Sequence, residues 1–426
     1  MSVIGIIGLG YVGITTAVGM ARLGHKVTGF DINQDRVETL SAGEAPIHEI
    51  GLEAELQDLL ATGNLEFSGS LEHLAAANAE FFFVCVPTPQ DASGAANLSY
   101  VLASAKELSA IAPSGSVVVL KSTVPVGSGE RVIKTLARSD LFVASNPEFL
   151  REGRALYDFM NPDRIVAGAV SVEVAERVLA LYGSIETEKI STSIESAELV
   201  KYSTNAYLAM RLSFVNDLAA LCERVGADID DVVKGLGSDS RIGPSFLAPG
   251  PGWGGSCFPK DTRALVSVAS DFGVDLPLID ASLESNEASL SRVVETLKEL
   301  CGGGLEGKVI AVWGLAFKAG TDDIRDSPAV NIVKRLIDRG AQVQAFDPVA
   351  TGPKIPGLSQ LPTALQAAAG TDALAVLTEW PEFTEVSPKE VAGLMNAPVA
   401  YDARRILPPT WGEFFKPMRV IGGSPR

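Results

Sequence analysis

Glycines at positions 8, 10 and 13 stand directly behind the apolar run Val3-Ile4-Gly5-Ile6-Ile7 and open a stretch, 12–23, whose apolar spacing is helical. Strand, tight glycine turn and helix in that order make a cradle for a nucleotide pyrophosphate. Glycine permits the turn, lets the backbone approach the ligand and lets the helix pack closely, while the first helical N–H groups face the anion. Gly8, Gly10, Tyr11, Val12 and Gly13 are the candidate contacts. Asp31 closes the second apolar run, 18 residues after Gly13. A carboxylate there bonds both ribose hydroxyls of NAD and repels the 2′-phosphate of NADP. The same aspartate also fits an ordinary turn, and Arg36 close by keeps NADP open.

Short β-rich runs at 3–8, 26–31, 81–87 and 117–121 alternate with helical stretches over the first 160 residues, and 141–145 and 164–169 read as the last strands. Such alternation implies a parallel sheet covered on both faces. From about Thr192 the pattern turns helical: one long helix over 195–225, a shorter one over 229–236, a Gly/Pro-rich loop at 237–255, and two more helices through Leu300. Gly302-Gly303-Gly304 then breaks the chain. A strand restarts at 308–314, followed by a helix at 328–339 and strands at 342–346 and 373–377. The expected class is α/β, with two Rossmann-like doubly wound domains joined by a helical core with a long central helix. The parts are 1–191, 192–301 and 302–426. At 426 residues and 46% hydrophobic, the chain has material for more than one core, since single cores stop growing at roughly 250–300 residues.

A net charge of −17 argues against nucleic acid and anionic membrane as partners, because both demand a basic footprint. Any anionic ligand must meet a local cluster of Lys and Arg. No leader-like segment opens the chain and no apolar run reaches the roughly 18 residues of a membrane span, so a cytoplasmic protein is expected. Cys85, Cys222, Cys257 and Cys301 are too widely spaced for a disulfide framework or a zinc site. His25, His48 and His73 read as surface or loop histidines, which leaves no parts for a metal centre or a Ser-His-Asp triad.

Val86-Pro87-Thr88-Pro89 and Ser122-Thr123-Val124-Pro125 each follow an apolar strand, and both turns should line the crevice as a floor for ribose and nicotinamide. Cys257 lies in Gly254-Gly255-Ser256-Cys257-Phe258-Pro259-Lys260-Asp261. With Pro259 as first helical residue, the cysteine sits just ahead of a positive helix end with Lys260 close by, a setting that lowers a thiol pKa. Free cysteines are more often buried and inert, which suits Cys85 in a strand and Cys222 in a helix. A thiol paired with a dinucleotide site suits an enzyme that carries an alcohol through to an acid, since the aldehyde can be held covalently for a second oxidation. A two-electron hydroxyacid dehydrogenase with an incidental cysteine and a silent NAD-binding scaffold stay open at this point.

Six ordered stretches resemble the UDP-glucose/GDP-mannose dehydrogenase family: 8–13, 86–89, 122–127, Asn146-Pro147-Glu148-Phe149-Leu150-Arg151-Glu152-Gly153, 254–261, and Lys318-x-x-Thr321-Asp322-Asp323-x-Arg325-x-Ser327-Pro328. They span almost the whole chain. The resemblance implies a homodimeric nucleotide-sugar 6-dehydrogenase with an N-terminal NAD domain, a helical dimerisation region and a C-terminal UDP-binding domain.

It makes Cys257 the nucleophile, and gives Lys201 and Asn205 to the water and developing oxyanion at the sugar's C6. Asp261 assists proton transfer, Glu152 serves the hydrolytic step and Thr123 positions its water. The cofactor side gains Thr88, Thr123, Glu152, Lys260 and Arg325. The nucleotide-sugar side takes Glu148, Phe149, Leu150, Arg151, Glu152, Phe246, Leu247, Ala248, Pro249, Gly250, Gly254 and Lys318, and Arg241 reaches the neighbouring subunit's pocket. On the residues alone, Lys201 fits a solvated helix charge, Asn205 a surface amide, Asp261 a first-turn carboxylate and Glu152 a loop acid. The stretch 254–261 is similar to the UDP-glucose branch, with the GDP-mannose branch as rival, so UDP-glucose is the expected substrate. Trp253 stands where phenylalanine is more common and should pack against the sugar loop.

Overall fold

Successive residues of the apolar runs face opposite sides of a sheet, and both sides are buried. Ile4, Ile6, Phe81, Phe83, Val117 and Val119 pack in one core, while Ile7, Phe82, Val84, Val118 and Leu120 pack in another. The computed structural model describes residues 1–47, 49–90 and 96–423, so His48 lies outside the described residues. The chain divides into two compact units, Met1–Thr204 with Arg263–Val274, and Asn205–Thr262 with Asp275–Arg426.

The first unit holds an eight-stranded sheet of β1 (Val3–Ile7), β2 (Lys26–Phe30), β3 (Leu65–Ser68), β4 (Phe81–Val84), β5 (Val117–Leu120), β6 (Phe142–Ser145), β7 (Arg164–Ala169) and β8 (Glu188–Thr192). Their order is β3-β2-β1-β4-β5-β6-β7-β8. The expected all-parallel sheet ending at 164–169 needs correction. β7 runs antiparallel to β6, pairing Ala144 with Ala169 and Ser145 with Gly168, and β8 adds a further strand parallel to β7. An apolar run carries no mark of its direction, and β3 and β8, only partly buried, lack the continuous apolar signal of the central strands.

The second unit holds an all-parallel sheet of β9 (Val309–Trp313), β10 (Gln342–Phe346), β11 (Leu358–Gln360), β12 (Ala373–Val376), β13 (Ala400–Asp402) and β14 (Met418–Val420), in the order β11-β10-β9-β12-β13-β14. Ile310 and Val312 face one core with the helices Pro277–Leu300 and Pro328–Ile337, while Ala311 and Trp313 face the other. The long helix Ile194–Val225 begins in the first unit and continues in the second.

Both sheets open with the same local device. Gly8 and Gly314 take φ of +89° and +95°, and their N–H groups donate to Phe30 O and Phe346 O at 2.9 and 2.8 Å. Asp31 and Asp347 then accept the N–H of Leu9 and Leu315 at 2.8 and 2.7 Å. Asp347 also takes Ala316, Val349, Ala350 and the Trp380 indole, so its carboxylate is saturated by protein donors.

Candidate active site

In the first unit the three fingerprint glycines have separate reasons. A Cβ on Gly13 would lie 1.8 Å from the Gly8 carbonyl oxygen, so only glycine lets the helix Tyr11–Arg22 start against the turn. Among the described residues, no atom lies within 4 Å of a Cβ built on Gly10, which leaves room for a ligand there. Gly10 caps the helix without a side chain, so the first N–H groups are open to an anion. Asp31 takes Asn33 N–H at 2.9 Å and the Arg36 guanidinium at 3.1 Å. Arg36 is thereby tied to the acid that repels a 2′-phosphate. Together the glycine turn and Asp31 fit the pyrophosphate and ribose of NAD. The two proline turns meet as expected, Thr88 donating its hydroxyl to Thr123 O at 2.9 Å. The Tyr11 hydroxyl donates to Glu49 and accepts the Gly153 N–H, tying the fingerprint to the loop just after Glu152.

Lys201 and Glu148 form a buried ion pair at 2.8 Å. Burial opposes the charge on Glu148. The Lys201 ammonium, the Leu150 N–H at 2.6 Å and the charge of Lys121 nevertheless hold its carboxyl below the usual range. Lys201 is therefore no solvated helix charge. Its ammonium lies 5.6 Å from the Phe149 ring centre, over which Arg164 also stacks at 3.9 Å. Arg151 forks onto Asp158 at 2.8 and 2.7 Å, which braces the loop, and Glu152 beside it is half-buried.

In the second unit the Cys257 carbonyl accepts the Asp261 N–H at 2.8 Å, which makes Cys257 the N-cap of the helix Phe258–Asp271. The helix starts one residue earlier than Pro259, because proline fits the first turn as well as its first position. Asp261 is fully buried, with Asn205 Nδ2 on one oxygen at 2.6 Å and Lys260 Nζ on the other at 2.5 Å. Neither Asn205 nor Asp261 is a surface group, and the ammonium of Lys260 pairs with Asp261.

A Cβ on Gly254 would lie 2.1 Å from Asp326 O, so this glycine lets the cysteine loop lie against the loop that carries Lys318 and Arg325. Arg325 is exposed and clamps Asp323 at 2.5 Å. Along the loop 246–250, Phe246 takes φ of +58° with its ring 6.3 Å from that of Phe258, Leu247 and Pro249 are buried, and Ala248 is exposed. The Gly250 N–H donates to Asn216 Oδ1 at 2.8 Å. Trp253 is clamped through both backbone groups by Asn286, at 2.8 and 3.0 Å, and its indole donates to Ser213 at 2.9 Å. Arg241 projects with its side chain 87% exposed, steadied by Asp239.

Residues 2–186, 195–288 and 311–409 match, in turn, the NAD binding, central and UDP binding domains of one family. The chain belongs to the UDP-glucose/GDP-mannose dehydrogenase family. Family relatives include UDP-glucose 6-dehydrogenases from Pseudomonas aeruginosa, 40% identical with 95% of this chain and 93% of that one covered, and from Rhizobium meliloti, 41% identical with 94% of each covered. The structure of a UDP-glucose dehydrogenase from Pyrobaculum islandicum superimposes with a TM-score of 0.92 at 36% identity, covering 99% of this chain and 98% of that one. A UDP-D-ManNAc dehydrogenase from Pyrococcus horikoshii gives 0.88 at 27%, with 99% of both covered.

Further polar side chains brace these loops. Arg404 donates to Leu377 O and to Phe317 O, next to Lys318, at 2.9 and 3.1 Å, and its guanidinium would lie 3.0 Å from a Cβ on Gly250. Two adjacent arginines, Arg404 and Arg405, were a visible signal, because an anionic ligand on an acidic chain needs local cations. Asn216 and Asn286 lie inside helices and gave no sign. Burial pushes Cys85 up to about 12, and likewise raises Cys222 and Cys301. Cys85 lies just past β4 rather than in it. His25 is buried against Leu181 O at 2.8 Å, not a surface group, while His73 pairs with Glu66 at 3.1 Å.

Proposed function

We propose that the chain is a UDP-glucose 6-dehydrogenase that oxidises UDP-glucose to UDP-glucuronate in two NAD-dependent steps. The observation that carries this reading is Cys257 at a helix N-cap, followed one turn later by an Asp261 carboxylate held between Asn205 and Lys260. Relatives near 40% identity that bear this name support it. Residues 1–191 hold NAD through the 8–13 turn and Asp31, 192–301 form the dimerisation region, and 302–426 hold the UDP moiety. When bound, NAD accepts one hydride at each oxidation.

The first oxidation turns the C6 alcohol into an aldehyde, its hydroxyl proton passing to a base while the Lys201 ammonium stabilises negative charge on oxygen. The Cys257 sulfur then bonds to C6, and the carbonyl π pair becomes an oxyanion that Lys201 and Asn205 hold. Oxidation of that thiohemiacetal leaves a thioester. Water, oriented by Thr123 and deprotonated with help from Glu152 and Asp261, adds to the thioester carbon. The C–S bond breaks, releasing the carboxylate and the thiol. Lys318 and Arg404, with the glycine-rich loop 246–254, meet the pyrophosphate that the net charge of the protein would repel. Lys260 and Arg325 lie on the NAD side.

A second copy of the chain completes the enzyme. Tyr207, Phe214 and Leu221 recur every seven residues along the long helix and are 54%, 55% and 54% exposed, a stripe suited to a matching helix. Arg241 reaches into that copy's sugar pocket. Reduced thiols and the absence, among the described residues, of any helix able to cross a membrane suit a cytoplasmic enzyme. The test is a panel of UDP-glucose, UDP-galactose, UDP-N-acetylglucosamine and GDP-mannose with NAD, followed at the NADH absorbance. UDP-glucose is expected to react fastest; preference for another sugar refutes the assignment.

A further inference from the structure

The long helix carries two buried charges one turn apart, and each grips a different loop. Lys201 holds Glu148, which follows β6. Glu198, only 2% exposed, grips the segment after β5, where Oε2 accepts the Gly127 N–H at 2.7 Å and Oε1 the Gly129 N–H at 2.8 Å. These amides open the helix Ser128–Leu136, whose N-cap, Gly127, has no side chain to cap it. A Cβ on Gly129 would lie 2.3 Å from Ile194 Cγ2, so the turn is seated hard against the long helix. Four residues before Gly127 stands Thr123, whose carbonyl accepts the Thr88 hydroxyl.

We propose that Glu198 is a positioning residue of the reaction: its carboxylate holds the turn that ends the segment carrying Thr123, and uptake of a proton there loosens that segment. The inference rests on the reading of Thr123 as the group that orients the hydrolytic water. A carboxylate oxygen is a strong acceptor for amides at a helix N-terminus, whereas a protonated carboxyl keeps one good acceptor and gives up the other. The groups facing Glu198 are the backbone amides of Gly127, Ser128 and Gly129 and, on its own helix, the carboxylate of Glu195. Burial, with Glu195 adding to it, outweighs the amides and pushes Glu198 up to about 7, within the working range of an enzyme at neutral pH.

The test is kcat and KM for UDP-glucose from pH 5.5 to 9 in the full enzyme and in Glu198→Gln, with NADH per UDP-glucose counted in both. Wild type should lose kcat on the acid side with a midpoint near 7. The glutamine variant should show no such limb, kcat lower by about tenfold at pH 8, as loss of one charge-assisted hydrogen bond gives, and an unchanged KM. A variant that keeps both the acid limb and the wild-type kcat overturns the proposal. Glu198→Asp retains a carboxylate too short for both amides and should keep the limb at reduced kcat. If neither variant yields folded, NAD-binding protein, Glu198 serves the fold alone and the proposal fails. Wild-type enzyme that forms no NADH with any nucleotide sugar overturns the function, and this inference with it.

Discussion

Among four thiols, Cys257 is the one that stands at a helix N-cap. Glu198 shows the opposite arrangement, a carboxyl kept where its charge is costly. Its ordinary value of 4.5 is raised to about 7 in the folded protein, so the native state binds the proton more tightly than the unfolded chain. The stability it contributes is therefore full below about pH 4.5 and lost as pH rises through 7. Glutamine carries no such loss. The melting temperature of Glu198→Gln relative to wild type should thus climb by a few degrees between pH 5.5 and 8, read by thermal scanning, and a difference independent of pH contradicts this. Chemistry-bearing residues inside dense motifs, such as Cys257 and Asp261, were legible in the sequence. Glu198 was not, because its partners lie about 70 positions away along the chain and its own neighbours on the helix are ordinary.

The elements present these residues through side-chain clamps on backbone. The loop 246–253, proposed to bind the sugar nucleotide, is pinned at Gly250 by Asn216 from the long helix and at Trp253 by Asn286 from Pro277–Leu300. Asn286→Ala leaves the Trp253 N–H and C=O buried without their partner, at a cost of about 2–3 kcal/mol. The expected result is a KM for UDP-glucose raised about tenfold with KM for NAD unchanged, since ordering the loop then draws on binding energy; equal rises in both would show general damage. Strand existence was legible wherever a run is apolar on both faces, as in β1, β4, β5, β9 and β12. Strand direction was not, and the reversal at β7 needed the structure. Short strands such as β11, β13 and β14, three residues each, fall below what a pattern of period two can signal. The helix start at Phe258 differed by one residue because proline is accommodated anywhere in the first turn.

At the scale of the molecule, two sheets open on the same glycine–aspartate turn but use it differently. Among the described residues, Asp31 has Leu9, Asn33 and Arg36 as partners in hydrogen bonds, beside an open Gly10, whereas Asp347 is filled by backbone amides and an indole. That difference argues for NAD on the first unit only. The exposed stripe Tyr207, Phe214 and Leu221 on the long helix is the proposed dimer surface. Phe214→Glu should convert a dimer of 44.7 kDa chains to monomers in light scattering, and a variant that stays dimeric places the interface elsewhere. In the proposed reaction one sulfur carries an alcohol through two oxidations without releasing the aldehyde. Counting NADH formed per UDP-glucose consumed, in wild type and in Cys257→Ser, tests it most directly. Two are expected for wild type and at most one for the serine variant; one NADH per sugar in wild type, or two in Cys257→Ser at the normal rate, refutes the covalent route.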